Sequence, residues 1–136
     1  MAQRTYGMIK PHAIKSKHVG DIINMIEQNG FTLVRLEKMK LTKEKAEQFY
    51  AIHKEKPFFA ELVTNIIDGP IVAMVLEKDN AIEDWRALMG ATDSKKASPG
   101  TIRQQFGVDI SFNVVHGSDA PETAEQEIKL IFPDLG

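Results

Sequence analysis

His116 has the sequence context expected of a nucleophile. It ends an apolar stretch, residues 113–115, that predicts a short strand, and Gly117 after it permits close approach of a ligand. Residues 117–119 predict a turn into a helix, whose free amide groups favour negative charge. A neutral imidazole can attack phosphorus when one ring nitrogen holds a lone pair and the other donates to an orienting group. His116 is therefore a candidate nucleophile facing an anion.

Glu127 and Ser118 are candidates to orient that imidazole. Glu127 lies about two turns into the predicted last helix, at the edge of its apolar stripe. Ser118 could bridge to it from the helix start. From spacing alone, an ordinary exposed glutamate is an equally good interpretation, so both remain open.

Three cations lie on separate predicted elements: Lys10, Arg86 and Arg103. If they converge, their charges match the oxygens of a polyphosphate. Taken one at a time, each is ordinarily a solvated surface charge, and the sequence does not reveal convergence.

The other three histidines carry weaker signals. His12 and His18 fit surface or internally hydrogen-bonded imidazoles. His53 follows the apolar stripe of a predicted helix, so it is either a structural neighbour or part of a site wall.

Several known site classes have no motif in this chain. Neither GxxxxGK[ST] nor GxGxxG follows a predicted strand, so any nucleotide is held without a glycine-rich loop. HExxH, GxSxG and paired cysteine and histidine spacings are also missing, and the sequence predicts no protein-ligated metal.

Composition limits the class of protein. A length of 136 residues, with 43% hydrophobic and 26% charged residues, predicts a single globular domain over residues 1–136. The net charge of −2 gives no field for nucleic acid or a membrane surface, and no apolar run approaches the ~20 residues of a membrane span. The chain has no cysteine and no signal-peptide core, so we expect a soluble cytoplasmic protein.

Periodicity gives the order of the elements that must position these residues. The order is strand, helix, strand, helices, strand, helix, loop, strand, helix, which is typical of a helix-covered antiparallel sheet of the split βαβ type. The first strand ends at Lys10, before Pro11, and the last helix has a predicted capping box of Asp119 and Glu122. The predicted strands are 5–9, 31–39, 71–76 and 113–116, and the helices begin near residues 19, 43, 58, 81 and 120.

Five motifs resemble those of the nucleoside diphosphate kinase family, in the family's order. They are Lys10-Pro11, YAIHKEKPFF (50–59), LMGAT (88–92), PGTIR (99–103) and NVVHGSD (113–119). The resemblance runs from about Arg4 to Phe132, nearly the whole chain. The last motif, which contains His116, is specific to this family.

The resemblance implies an α+β, ferredoxin-like fold whose four-stranded antiparallel sheet is covered by helices, assembled as a homotetramer or homohexamer. It implies a ping-pong transfer in which His116 takes the γ-phosphoryl group of a nucleoside triphosphate, forms phosphohistidine and passes the group to a nucleoside diphosphate. Mg²⁺ would be bound through the nucleotide phosphates.

The family pattern also assigns the site residues. Glu127 and Ser118 orient His116, and Phe58 stacks on the base with Leu62 and Ile110 nearby. The residues around the phosphates and ribose are Lys10, Tyr50, Arg86, Thr92, Arg103 and Asn113. Lys10 and Tyr50 also belong to the catalytic set. Stacking tolerates every base, which fits broad nucleotide specificity.

Two departures from the family pattern stand out. His12 follows Lys-Pro where the family usually has an acidic residue, and this changes local pairing near Lys10. Asp93-Ser94 replaces Asn-Pro; the lost proline raises the entropy cost of ordering this loop, so we expect weaker stability or subunit packing.

Two other functions are compatible with parts of this pattern. One is a non-catalytic nucleotide-sensing domain of the same fold, against which the presence of His116, Arg86 and Arg103 weighs. The other is a phosphohistidine carrier that accepts phosphate from a protein, which would not need Phe58 or the two arginines.

Overall fold

Four antiparallel strands form one sheet in the computed structural model, which describes residues 2–108 and 114–135. The strands are β1 (Gln3–Ile9), β2 (Thr32–Met39), β3 (Ile71–Lys78) and β4 (Val115–Gly117), in the order β2-β3-β1-β4. Residues 71–76 of β3 are all buried, as a strand covered on both faces requires. The predicted ferredoxin-like α+β fold is confirmed.

Helices cover both faces of the sheet. They are α1 (Pro11–Lys15), α2 (Val19–Gln28), α3 (Lys43–Phe49), α4 (Phe59–Ile66), α5 (Ala81–Met89), α6 (Ile102–Phe106) and α7 (Pro121–Ile131), with 3₁₀ turns at Ala51–His53, Ser94–Lys96 and Pro133–Leu135. Successive strand side chains point to opposite faces. Tyr6 and Met8 of β1 therefore pack with α3, α4 and α7, whereas Ile9 packs with α2, α5 and α6.

Three local features differ from the sequence prediction. α1 and α6 have five residues each, too few to show a helical period, and neither was predicted. The predicted capping box of Asp119 and Glu122 is wrong. Ala120 is the N-cap without a side-chain bond, because α7 begins at Pro121, whose fixed φ suits the first helical position. Among the described helices, none has the length and apolarity needed to cross a membrane.

β4 is held in place by a tryptophan that lies directly on its backbone. The fully buried Trp85 of α5 donates its indole N–H to the carbonyl oxygen of His116 at 3.2 Å. This approach needs a glycine next in the chain, because a Cβ on Gly117 would lie 2.5 Å from the Trp85 ring and 2.7 Å from Met89 Cε. The missing side chain at Gly117 thus sets how closely α5 packs under His116.

We expect Gly117→Ala to destabilise the protein by about 2–3 kcal/mol, since neither the buried indole nor the strand can move away without loss of packing. Urea unfolding measures the effect. Gly20→Ala is the matched control: nothing lies within 4 Å of its added Cβ, and alanine in a helix should be neutral or stabilising by about 0.5 kcal/mol. Equal stability of the two variants would contradict the packing role of Gly117.

Candidate functional site

Most of the predicted site residues lie on the wall of one open cleft of about 1320 Å³. The predicted residues that line it are Lys10, Tyr50, Phe58, Leu62, Arg86, Thr92, Arg103, His116 and Glu127. These residues lie on strands, on helices and in the loops that follow them, so the fold brings together side chains that are far apart in the chain. Ser118 is fully buried and lies next to this wall through Glu127, whereas Ile110 and Asn113 lie outside the described residues.

His116, Glu127 and Ser118 form a hydrogen-bonded relay. Nε2 of His116 lies 3.2 Å from both carboxylate oxygens of Glu127, and Ser118 donates its hydroxyl to Oε1 of Glu127 at 2.6 Å. An ionised carboxylate is only an acceptor, so Nε2 carries the proton and Nδ1 keeps the lone pair. The relay therefore fixes the tautomer that has a nucleophilic nitrogen at Nδ1.

Aromatic rings limit the movement of the His116 imidazole. The ring of Phe49 meets it edge to face with centroids 4.9 Å apart, and the ring of Tyr6 lies at 6.1 Å. The imidazole side chain is only 22% exposed. Since these contacts are apolar, they restrict the ring without competing for its nitrogens.

The three predicted cations do converge on the cleft. Arg103 is nearly buried and donates to the carbonyl oxygens of Gly90 at 2.9 Å and Val115 at 2.8 Å, so its guanidinium is fixed against the residue before His116. Burial, reinforced by the nearby charge of Arg86, lowers the pKa of Arg103 to about 10, which leaves it charged at neutral pH. Arg86 is exposed on the same wall.

Lys10 is the most perturbed cation of the cleft. Desolvation by burial, with a smaller contribution from the charge of Arg103, lowers the pKa of the Lys10 ammonium to about 7. A lysine poised at neutral pH in a cleft that also holds two arginines is typical of a site that binds an anion. This clustering of positive charge is what binding a polyphosphate would relieve.

Tyr50 remains a phenol under ordinary conditions. Burial, with a smaller effect of the Glu127 charge, raises the pKa of its hydroxyl above the ordinary value. Tyr50 thus offers the cleft a hydrogen-bond donor and no charge.

An aromatic surface lies at the cleft mouth. The ring of Phe58 is 44% exposed, an unusual state for phenylalanine, with the ring of His53 at 5.5 Å and Leu62 on the same wall. The sequence left His53 open between structural neighbour and site wall. It lines the cleft, and its buried Nδ1 has no hydrogen-bond partner among the described residues.

The cleft is also lined by Lys96, which the sequence did not single out, and by Asp119, which the sequence named only as a helix cap. No signal in the sequence distinguishes Lys96 from a solvated lysine. Within residues 2–108 and 114–135, no cluster of three histidine, aspartate or glutamate side chains is arranged to hold a metal ion. The chemistry this arrangement supports is nucleophilic attack by an imidazole on a bound, cation-clamped phosphate.

Sequence relatives match this chain over nearly its whole length. A family profile described as nucleoside diphosphate kinase matches residues 3–135. The nucleoside diphosphate kinase of Oleidesulfovibrio alaskensis is 53% identical over 132 residues, covering 97% of this chain and 95% of that protein. That of Pelobacter propionicus is 51% identical over 133 residues, covering 98% and 97%.

Solved structures of nucleoside diphosphate kinases have a fold closely similar to that of this chain. The nucleoside diphosphate kinase of Aquifex aeolicus superposes with a TM-score of 0.96 at 43% identity, covering 99% of this chain and 98% of that chain. The enzyme from Halobacterium salinarum, solved in complex with CDP, superposes with a TM-score of 0.93 at 42% identity, covering 97% and 88%.

Proposed function

The chain belongs to the nucleoside diphosphate kinase family, and we propose that it performs the family's reaction in the cleft around His116. It is a phosphotransferase that moves the γ-phosphoryl group of a nucleoside triphosphate to a nucleoside diphosphate by the ping-pong mechanism of that family. The observation that carries the assignment to this cleft is the relay of Ser118, Glu127 and His116.

Nδ1 of His116 is the attacking atom, because Nε2 is engaged by Glu127. Its lone pair forms the bond to the γ-phosphorus while the bond from that phosphorus to the bridging oxygen breaks, and the nucleoside diphosphate leaves with the electron pair. The ring becomes positively charged, and the Glu127 carboxylate stabilises that charge through the Nε2–H bond. In the second half-reaction a terminal oxygen of another nucleoside diphosphate attacks the phosphohistidine and restores the neutral ring.

Charge on the transferring group is stabilised by the cations of the cleft. Arg103 lies close enough to Lys10 for its charge to lower the pKa of the Lys10 ammonium, so an anion bound beside both cations is favoured by both. Arg86, Thr92 and Asn113 complete the proposed set around phosphates and ribose, with the Tyr50 hydroxyl as a neutral donor. Mg²⁺ would enter bound to the nucleotide phosphates and would neutralise part of their charge.

The base of the nucleotide would stack on Phe58. Its exposed ring offers a π-face that every base can use, and Leu62, with Ile110, would supply apolar contact at the edge. Because such stacking reads no hydrogen-bond pattern, we expect little discrimination between bases.

Three broader features accompany this proposal. Residues 1–136 would form a single domain. We propose a homotetramer or homohexamer, since the edge strand β2 carries the exposed Leu36, 45% accessible, in the isolated chain. A cytoplasmic location fits the nucleotide substrates and a chain without cysteine.

Nucleotide binding should take up a proton at Lys10. The pKa of this ammonium is about 7 in the unliganded cleft, and a bound phosphate raises it because the opposite charge favours the protonated form. At pH 8 we therefore expect ADP binding to take up close to one proton, roughly 0.5 to 0.9, and affinity to weaken as pH rises above 7. Calorimetry in two buffers of different ionisation enthalpy measures the uptake.

The matched variants for this measurement are Lys10→Gln and Lys129→Gln. Lys10→Gln should remove most of the proton uptake, whereas Lys129, exposed on α7 outside the cleft lining, should leave it unchanged. Full uptake in the Lys10 variant would contradict the assignment of Lys10 to the phosphate site.

Steady-state kinetics test the proposed function as a whole. Initial rates are measured over a grid of ATP and a pyrimidine diphosphate, in the presence of Mg²⁺. A ping-pong enzyme gives parallel double-reciprocal lines, because the first product leaves before the second substrate binds. Lines that intersect indicate direct transfer in a ternary complex, and nucleotide binding without turnover indicates the sensing domain.

A further inference from the structure

A second histidine holds the backbone just before the proposed nucleophile. The backbone N–H of Val114 donates to Nε2 of His12 at 3.0 Å, so a side chain of α1 is hydrogen-bonded to the residue that precedes β4. An imidazole nitrogen accepts a hydrogen bond only when it is unprotonated. The bond therefore requires a neutral His12 whose ring proton is on Nδ1.

Val114 is a residue that needs such a restraint. Its φ is 78°, in the left-handed region that a β-branched side chain rarely adopts, and its side chain is fully buried. The N–H of Lys10 donates to its carbonyl oxygen at 2.8 Å. Both backbone groups of this strained residue are thus bonded to residues at the end of β1 and in α1.

The strain lies two residues from His116. In the register of the two strands, Ile9 lies opposite Val115 and Met8 lies opposite His116, so Val114 is the first residue beyond the paired part of β4. Arg103 also donates to the carbonyl of Val115. Releasing Val114 would therefore disturb both the imidazole and the guanidinium that faces the phosphate.

We propose that His12 is a positioning residue for phosphoryl transfer: its neutral imidazole holds the strained Val114, and protonation of His12 releases the start of β4 and misplaces His116. When both ring nitrogens carry hydrogens, the N–H of Val114 faces another donor and is left unpaired in the interior. The predicted effect on activity rests on the proposed function of His116. The predicted effect on the Val114 backbone rests only on its hydrogen bond to His12.

Charged and polar groups from several elements face His12 among the described residues. Described residues that line the same small cavity are Lys10, Tyr50, Leu62, Asn65, Ile66 and Asp68. Lys10 is a cation when protonated, Tyr50 is a neutral phenol at physiological pH, and α4 contributes no charge there. Asp68 is ionised, but its carboxylate is paired with Lys15, and Lys40 also acts on it. A ring nitrogen that carries a proton would not accept the Val114 N–H bond.

A substitution that keeps the acceptor but removes its titration tests the proposal. In His12→Gln the side-chain carbonyl oxygen takes the place of Nε2 and accepts at every pH. The ratio of kcat/KM in this variant to that of the native protein cancels any pH dependence that the two proteins share. We expect the ratio to be constant above pH 7.5 and to rise as the native His12 ring becomes protonated, approaching about fivefold or more at full protonation, because an unpaired buried N–H disfavours the native arrangement by at least this factor.

Two further variants complete the activity test. His12→Leu removes the acceptor and should lower kcat about fivefold or more above pH 7.5, and the deficit relative to the native protein should shrink at lower pH, where the protonated native ring no longer accepts. His18→Gln is the matched control, since this other histidine lies at the start of α2, 3.8 Å from Asp21, and is not part of the cleft. Its ratio to the native protein should not change with pH.

The native protein provides a readout that needs neither folding of a variant nor turnover. By NMR, the titration of the His12 ring should be accompanied, at the same midpoint, by a shift of the Val114 amide resonance and by faster exchange of its proton. A flat ratio for His12→Gln, or a Val114 amide that does not follow His12, overturns the proposal. If the native protein lacks kinase activity while the amide follows His12, the proposed function fails and the structural inference stands.

Discussion

Replacing His116 by alanine should lower kcat/KM for phosphoryl transfer by at least about 10⁴-fold, because it removes the only atom proposed to bond to phosphorus. The rings of Phe49 and Tyr6 both lie against the imidazole, and burial raises the pKa of the Tyr6 hydroxyl well above its ordinary value, so this hydroxyl stays protonated. The coupled assay with ATP and a diphosphate acceptor measures the loss.

Two controls distinguish loss of the reacting atom in His116→Ala from loss of the folded site. The main-chain carbonyl at position 116 can still accept from Trp85 in the variant, so β4 should stay in place and ADP should bind with nearly native affinity. His18→Ala, at the start of α2, should retain full activity. Residual activity above about 1% of native in His116→Ala would mean that another group carries the phosphoryl.

Removing the carboxylate that holds His116 should give the second largest effect. We expect Glu127→Ala to lower kcat by about 10²-fold or more, with a small change in KM. Two effects combine: without the carboxylate the ring proton is no longer held on Nε2, and the positive charge that forms on phosphorylation has no partner. Single-turnover phosphorylation by ATP measures the chemical step directly.

Two further variants, one beside Glu127 and one elsewhere on α7, serve as controls for this prediction. Ser118→Ala removes only the hydroxyl that donates to Glu127 at 2.6 Å, so we expect about a tenfold loss. Glu125→Ala, an exposed glutamate on the same helix α7, should have native activity. Equal activity of the Glu127 and Glu125 variants would show that the relay does not orient the nucleophile.

Elements with long, regular patterns were predictable from the sequence. The unbroken apolar run of β3 indicates a strand buried on both faces, and the apolar stripe of α2 follows the helical period, so each pattern determines its element. Short elements were not predictable for the opposite reason. α6 has five residues, too few for a pattern, and tertiary packing around the buried Arg103 and Ile102 stabilises it.

The capping prediction failed because two signals competed at the start of α7. Asp119 and Glu122 have capping-box spacing, but Pro121 has no N–H and a φ already suited to the first helical turn. Proline therefore sets the start of the helix, with Ala120 as its N-cap. Asp93, one of the departures from the family pattern, instead caps a 3₁₀ turn by accepting from the N–H of Lys95 at 3.1 Å. The predicted weakening of this loop stays a prediction.

The candidate site was predictable only in part. Residue types and family motifs indicated the candidate nucleophile and the candidate cations, but spacing along the chain gave no means of deciding whether Glu127 was a partner of His116 or an exposed glutamate. That contact depends on the angle at which α7 crosses β4, which is set by the packing of the whole core. The bond between His12 and Val114 joins residues 102 positions apart and has no sequence signal at all.

Isolation of the phosphorylated protein tests the central claim most directly. The native chain is incubated with γ-labelled ATP and Mg²⁺ without an acceptor, alongside His116→Ala. We predict label on the native chain only, labile in acid, stable in base and released quantitatively by added GDP as GTP. The absence of label from both proteins, or label that GDP does not remove, would contradict phosphoryl transfer through His116.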